Sequence, residues 1–219
     1  MKSIQDVTRQ LLKPLSVCSG GLMLCVSPHL IASNQVKGYV IWVQLTPAIC
    51  HLDTTKAKKR KCLEGYSLNI VGLYPETNKI NCQTKSSPQL APLQARAIAR
   101  VMPDETARVH LWQSIGGCVD MNASQYFRTI INTADRLNIP PEASSSETLQ
   151  MSAVKMRQRF LQLNPKMPSH SIHFQCQTRR NQSFLTDVKV CYTPTGGYKA
   201  CPSDVRSNCP ANFHVKGAY

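Results

Sequence analysis

The chain has 219 residues, enough for one domain of ordinary size, and 42% of them are hydrophobic. No apolar run approaches the roughly 18 residues that span a bilayer, which excludes an integral membrane protein in the mature form. The formal net charge of +14 attracts polyanions, for which nucleic acids and anionic surfaces are the usual candidates. Charge therefore indicates a class of partner and leaves the chemistry open.

The first 32 residues have the pattern of an export signal. Lys2, Arg9 and Lys13 precede an apolar stretch over residues 15–26, and a short segment then ends at Ala32. Cleavage after Ala32 is expected. The alternative is a frayed amphipathic N-terminus that remains on the chain.

Ten cysteines are many for a reducing compartment. None forms a C-x-x-C pair and no Cys/His pair has zinc-finger spacing, so neither a metal site nor a cofactor is expected. Loss of residues 1–32 as a signal peptide would remove Cys18 and Cys25 and leave eight cysteines. Oxidised pairs in a periplasmic or secreted protein are therefore expected, with a single domain over residues 33–219.

The first mature segments are predicted to be two strands around a basic loop. Residues 39–50 read YVIWVQLTPAIC, which predicts a central buried strand that runs into a turn. Residues 67–75 read SLNIVGLYP and predict a second strand that can pair with the first. The loop between them is too charged to be packed, and its basic residues are Lys56, Lys58, Lys59, Arg60 and Lys61.

Three helices are predicted next. The first covers residues 93–101, the second follows Asn122 as N-cap with Gln125 three residues later, and the third covers about 152–163. Their apolar positions are Leu93, Ala97, Ile98 and Val101 in the first, Phe127, Ile130, Ile131, Ala134 and Leu137 in the second, and Val154, Phe160 and Leu161 in the third.

The C-terminal part changes to a period of two. Apolar residues alternate with polar ones over residues 172–176 and again over 184–190, which predicts two strands with one face on the core. The order of elements is that of an α+β protein.

These segments, in this order, resemble the ribonuclease T-two family, with the closest likeness to its bacterial periplasmic members. The resemblance spans about residues 39–219 and rests on the blocks YVIWVQLTPAIC, NIVGLYP, ARVMP, HLWQSIGGC, SQYF and NCPANFHVKGAY. It implies a central antiparallel sheet flanked by helices and stapled by disulfides. The implied bridges are Cys50–Cys62, Cys82–Cys118, Cys176–Cys209 and Cys191–Cys201.

Enzymes of the family that this chain resembles cleave RNA by transphosphorylation through a 2′,3′-cyclic phosphate. Two imidazoles suit this reaction because their ordinary pKa of about 6.5 lets one act as base and the other as acid. The first family motif, His-Gly-Leu-Trp-Pro, corresponds to VGLYP here, so Val71 stands at the first histidine.

The second family motif, His-Glu-Trp-x-Lys-His-Gly-Thr-Cys, corresponds to HLWQSIGGC, which begins at His110. Ile115 stands at the second catalytic histidine, Leu111 at the supporting glutamate and Ser114 at the lysine. His110 is retained, and the resemblance gives that position the role of binding phosphate. No retained catalytic residue is therefore predicted, and a catalytically inactive homologue is expected.

The retained groove is predicted to bind RNA or a protein partner. Tyr74, His110 and Trp112 are its candidate lining residues, and core packing is the alternative for the two aromatic side chains. The candidate phosphate contacts are Lys58, Lys59, Arg60 and Lys61, for which a solvated loop is the alternative. The rival hypothesis is an active endoribonuclease that uses unexpected residues; for His51, His170, His173 and His214 a purely structural role is favoured. A monomer is expected.

Overall fold

The structure is a computed structural model that describes residues 36–218. Its strands form one six-stranded sheet: β1 Gly38–Leu45, β2 Leu68–Glu76, β3 Leu149–Ser152, β4 Ile172–Arg179, β5 Gln182–Tyr192 and β6 Asn212–Val215. Its helices are α1 Thr46–Leu52, α2 Arg60–Leu63, α3 Pro92–Ala99, α4 Glu105–Ile115, α5 Ala123–Arg136 and α6 Ala153–Leu163. The predicted signal peptide and the boundary after Ala32 lie outside the described residues.

The sheet has the order β2-β1-β5-β6-β3, and β4 also pairs with β5. Every pairing is antiparallel except that of β5 with β6, which is parallel. The expected α+β fold, with a sheet flanked by helices, is therefore confirmed, and the short parallel pairing makes the sheet mixed. No helix in the described part of the chain is both long and apolar enough to cross a membrane.

The core lies on one face of the sheet. Ile41 and Val43 point into it from β1, and Phe174 of β4 contacts Phe160 of α6 with a distance of 6.0 Å between ring centroids. Phe213 of β6 extends this cluster, at 6.4 Å from Phe174. Burial of aromatic and branched side chains is the main stabilising contribution of such a layer.

The first predicted strand has a corrected boundary. The first strand ends at Leu45, seven residues before the end of α1 at Leu52, so residues 46–50 are helical and not extended. Pro47 lies in the first turn of α1. Backbone N–H groups in the first turn have no acceptor within the helix, so the missing N–H of proline costs nothing there, and its fixed φ suits the helix. The proline therefore starts a helix here and does not only end a strand.

Two residues predicted to face the core are exposed. Leu93 of α3 is 79% exposed and Val154 of α6 is 67% exposed, whereas Ile98 and Phe160 of the same helices are buried. At 100° per residue, Leu93 lies about 140° around the helix from Ile98, and Val154 about 120° from Phe160. Leu93 and Ile98, and likewise Val154 and Phe160, are therefore too far apart around the helix axis to lie on one narrow buried face.

All four expected disulfide pairings are present. The distances between Cα atoms are 5.9 Å for Cys50–Cys62, 4.7 Å for Cys82–Cys118, 4.8 Å for Cys176–Cys209 and 5.2 Å for Cys191–Cys201. The last two bridges are nested in sequence and join β4 and β5 to the segments that follow them. In a chain-entropy view each bridge stabilises the fold by about 2–4 kcal/mol.

Candidate functional site

The face of the sheet opposite the core is polar. The pairing register places Trp42 and Gln44 of β1 beside Lys189 and Asp187 of β5, respectively, and Gln44 also faces Asn69 of β2. Because side chains alternate along a strand, these five side chains lie on the face of the sheet opposite to Ile41 and Val43. We call them the polar face.

Val71 lies at an irregularity next to this face. Trp42 pairs with Gly72 and Val43 pairs with Ile70, so Val71 is the extra residue of a β-bulge in β2. A bulge redirects the side chain of its extra residue and is common beside functional sites. The side chain of Val71 lines a cavity of about 140 Å³, whose other lining residues include Gln44, Lys61, Asn69, Asp104 and Ala107.

The helix that carries the second motif, α4, packs on β2 through aliphatic side chains. Leu111 and Ile115 are each 7% exposed and lie one helical turn apart on the same side of α4. A Cβ atom added at Gly72 would lie 2.9 Å from Cδ1 of Leu111, so Leu111 covers the residue that follows Val71. The contact between α4 and β2 at Gly72 is therefore packed and apolar.

His110 and Ser114 lie on another side of α4 and are exposed. They line an open groove of about 510 Å³ together with Lys85, Gln83 and Asn81. Lysine, imidazole and amide groups can all donate hydrogen bonds to an anion. The groove of His110 and the cavity of Val71 do not share a lining residue among those that define them.

Trp112 lies in the core. It is 1% exposed, its ring centroid is 5.7 Å from that of Tyr126, and its Nε1 donates hydrogen bonds to the carbonyl oxygen and the hydroxyl of Ser86, both at 3.1 Å. A buried tryptophan usually needs such a partner for its N–H. This environment favours core packing for Trp112. It corrects the prediction that Trp112 lines an open groove.

Tyr74 lines a different pocket, which it shares with Trp42 and Lys189. Its ring is 5.8 Å from that of Trp42, and Nζ of Lys189 lies 4.4 Å from the centroid of the Trp42 ring. This pocket of about 380 Å³ is also lined by Lys37 and Asp204. Burial raises the pKa of the Tyr74 hydroxyl, which therefore stays protonated at neutral pH.

Trp42 and Lys189 were not among the predicted site residues. The sequence predicts a central buried strand here, whereas the polar Gln44 two residues after Trp42 indicates a face that is not part of the core. Lys189 lies in the predicted alternation of β5 and is a charged residue between buried valines. Both signals are present in the sequence.

Lys61 differs from the other basic residues of its loop. Its Nζ donates a hydrogen bond to Oε1 of Gln44, and Nε2 of Gln44 donates to Oδ1 of Asp187 at 3.3 Å. Burial lowers the pKa of Lys61, and the like charge of Lys56 lowers it further. The expectation that the loop is too charged to pack is therefore wrong for Lys61, because an acceptor on the sheet holds its ammonium group.

The remaining candidate phosphate contacts, Lys58, Lys59 and Arg60, are exposed. Arg60 is paired with Glu64 at 2.6 Å one turn later in α2. An exposed pair of this kind is weak and can exchange for a phosphate. Within residues 36–218 no group of three or more His, Cys, Asp or Glu side chains is arranged to hold a metal ion.

The chain was compared with known proteins. No family model matches it, and no curated protein matches it. Solved structures do match: ribonuclease MC1 from bitter gourd seeds has a TM-score of 0.64 at 19% identity, covering 80% of this chain and 98% of that one. The self-incompatibility SF11-RNase of Nicotiana alata has a TM-score of 0.62 at 12% identity, covering 81% and 96%.

An RNase-related protein from Calystegia sepium also matches, with a TM-score of 0.61 at 14% identity, covering 84% of this chain and 98% of that one. These likenesses extend over nearly the whole of each neighbour. At such low identities they establish the fold, and the chain has the fold of these ribonucleases.

Proposed function

We propose that this chain, which has the ribonuclease T-two fold, binds RNA and does not cleave it. The observation that carries the proposal is the contact between α4 and β2. There Leu111 packs on Gly72. The positions that the resemblance assigns to the acid and the base are Val71 and Ile115, whose side chains are aliphatic.

Cleavage by transphosphorylation needs a group that removes the proton of the ribose 2′-hydroxyl and a group that protonates the leaving oxygen. General acid–base catalysis contributes about 10²–10⁴ in rate, and valine and isoleucine can neither accept nor donate a proton. Leu111 also replaces a carboxylate and Ser114 an ammonium group at the positions that the resemblance assigns to them. At these positions the chain therefore offers no group for either proton transfer.

The polar face supports RNA binding through its aromatic pocket. Trp42 and Tyr74 offer ring surface, and Lys189 and Lys37 offer positive charge beside it. A volume of about 380 Å³ is within the usual range for a small-ligand site and can accept a nucleobase. Stacking on aromatic side chains combined with backbone charge is the usual way in which proteins bind single strands.

The groove of His110 supports a phosphate contact. His110 and Lys85 are exposed there, and their side chains can donate hydrogen bonds to phosphate oxygens, whereas the hydroxyl of Ser114 donates to the carbonyl oxygen of Leu111 at 2.8 Å. The net charge of +14 adds a long-range attraction for RNA.

We further propose that the protein is exported to the periplasm or secreted as a monomer. Its four disulfides suit an oxidising compartment. Mass spectrometry of the non-reduced mature protein reports whether residues 1–32 are removed. A mature mass that includes residues 1–32 would contradict the signal peptide.

The test of RNA binding is the anisotropy of a labelled single-stranded RNA titrated with the oxidised protein at several salt concentrations. Affinity is expected to fall as salt rises, and Tyr74→Ala is expected to weaken binding by about 1–3 kcal/mol through lost stacking. Tyr66→Ala, at a half-buried tyrosine outside the polar face, is the matched control and should bind like the wild type. If the protein binds no RNA, or if its affinity for RNA does not depend on salt, RNA is excluded as the ligand. A protein partner then remains the candidate ligand.

A further inference from the structure

Two arginines lie at the tip of the hairpin between β4 and β5. The strands are joined by Arg180 and Asn181, both with positive φ, 50° and 63°. Two consecutive residues of this kind are typical of a type I′ turn, in which asparagine is common and arginine is not. The turn holds Arg179 and Arg180 in solvent at the end of the sheet.

Arg179 connects this tip to the end of α1. Its Nη1 donates a hydrogen bond to the carbonyl oxygen of His51 at 2.6 Å. The imidazole of His51 lies 5.2 Å from the ring of Phe184, and His214 lies 5.5 Å from the same ring on β6. Three separate segments therefore meet around one buried phenylalanine.

The charges that surround His51 are positive. Burial lowers the pKa of His51, and the nearby charges of Lys216, Arg179 and Arg180 lower it further. Across residues 36–218, no carboxylate lies within ion-pair distance of Arg179 or Arg180. The cations of the hairpin therefore have no protein counter-charge there.

The acidic residue nearest in sequence is already engaged. Asp53 accepts hydrogen bonds from the hydroxyl and the N–H of Thr55, at 2.6 Å and 3.0 Å, and pairs with Lys56 at 3.3 Å. It is therefore directed toward its own loop. Asp53 therefore does not neutralise Arg179 or Arg180.

We infer that His51, Arg179, Arg180 and Lys216 form a phosphate-binding site, the basic tip, that holds a backbone phosphate of single-stranded RNA. The inference rests on the proposed function for the identity of the ligand. Guanidinium groups match the oxygens of a phosphate, and a protonated imidazole adds a charged donor. Residues 177–182 are all polar and exposed, so the hairpin end offers no apolar anchor for a membrane.

The site couples RNA binding to pH. The imidazole of His51 lies against the ring of Phe184, and His214 of β6 lies against the same ring. The charged groups that act on His51 are Arg179 and Arg180 of the hairpin and Lys216 after β6. A bound phosphate replaces this repulsion by attraction and raises the pKa of His51. By linkage, affinity for RNA rises as pH falls.

The test measures the affinity of the full chain for labelled single-stranded RNA against salt and pH. Arg180→Ala is the chosen variant because its side chain makes no hydrogen bond or ion pair in the described part of the chain, so its loss should not disturb the fold. The slope of log affinity against log salt is expected to fall by about 0.7, the value for one phosphate contact on a single strand. Arg128→Ala, at an exposed arginine of α5, is the matched control, and a fall equal to that of the control would overturn the basic tip.

His51→Gln is expected to reduce the gain in affinity between about pH 7 and about pH 5 while leaving affinity at pH 8 within about twofold of the wild type. An unchanged pH dependence would overturn the role of His51.

Failure of this site and failure of the proposed function can be distinguished. Should Tyr74→Ala abolish RNA binding while Arg180→Ala leaves the salt slope unchanged, the proposed function stands and the basic tip does not. Should the wild type bind no RNA, inorganic phosphate is titrated against the imidazole NMR signals of His51. A shift that Arg180→Ala removes would support the phosphate site and overturn RNA as its source, and no shift would overturn both.

Discussion

Leu111 of α4 covers Gly72 of β2 so closely that a Cβ atom at position 72 would lie 2.9 Å from Cδ1 of Leu111 and 3.1 Å from its Cδ2. Only glycine allows the helix to approach the strand at this point without a shift. The contact fixes α4 against the strand that carries Val71 and Tyr74. It also bears on the proposed function, because a leucine stands where the resemblance places a carboxylate.

Gly72→Ala is expected to destabilise the protein by about 1–3 kcal/mol, because the added methyl group overpacks a buried contact. The measurement is the free energy of unfolding in urea. Gly197→Ala is the control, since its nearest neighbour would be Oγ1 of Thr193 at an ordinary 3.4 Å, and it should change stability by less than about 0.5 kcal/mol. Combining Gly72→Ala with Leu111→Ala should show a coupling energy, and additive effects would contradict the contact.

Tyr126→Phe is expected to cost about 1–3 kcal/mol of stability. The hydroxyl of Tyr126 accepts a hydrogen bond from the N–H of Leu73 at 3.1 Å and donates one to its carbonyl oxygen at 2.9 Å, at the outer edge of β2. Phenylalanine leaves both buried backbone groups without a partner. Tyr66→Phe is the control because its hydroxyl makes one longer bond, 3.4 Å, to Ala99. Equal losses in the two variants would argue against a special role of Tyr126.

His173→Gln is expected to reduce the loss of stability in acid. Burial lowers the pKa of His173, and Arg157 and Lys189 lower it further, although a hydrogen bond involving His170 opposes them. As pH falls, His173 is therefore protonated in the unfolded chain before it is protonated in the folded one. The contribution that neutral His173 makes to the free energy of unfolding is present above about pH 6.5 and is lost as pH falls toward the lowered pKa. Chemical unfolding measured between about pH 8 and about pH 5 tests this.

Near pH 8 the His173→Gln variant should differ from the wild type only by a constant offset. The difference between the two should change below about pH 6.5, in favour of the variant. An offset that is the same at every pH would contradict a lowered pKa for this imidazole.

Local signals in the sequence predicted most of the fold. Asn122 and Gln125 form the expected capping box, with mutual bonds of 2.9 Å and 3.0 Å between side chain and backbone. The alternation in β4 also predicted its buried face. For β5 the expectation of one buried face is wrong, because Leu185 and Asp187 are buried too and the pairing with β4 shifts register at Gln175 and Cys176. Helix α4 was not predicted, although Asp104 caps it through a 3.1 Å bond from the N–H of Ala107 and follows a proline, which is a usual start signal.

The site was less predictable because its contacts join distant parts of the chain. Lys61 looked like a solvated lysine, and only the sheet shows its acceptor, Gln44, which is 17 residues away. Trp42 is a candidate site residue only because Lys189 lies beside it on the paired strand β5. Charge and composition cannot indicate such pairings, which depend on register.

The most direct test of the central claim is incubation of the purified, oxidised protein with RNA, with detection of 2′,3′-cyclic phosphate ends. The wild type is expected to produce none. The variant Val71→His combined with Ile115→His, Leu111→Glu and Ser114→Lys restores the groups that the resemblance implies, and it is expected to gain measurable cleavage. Cleavage by the wild type that His110→Ala abolishes would contradict the account.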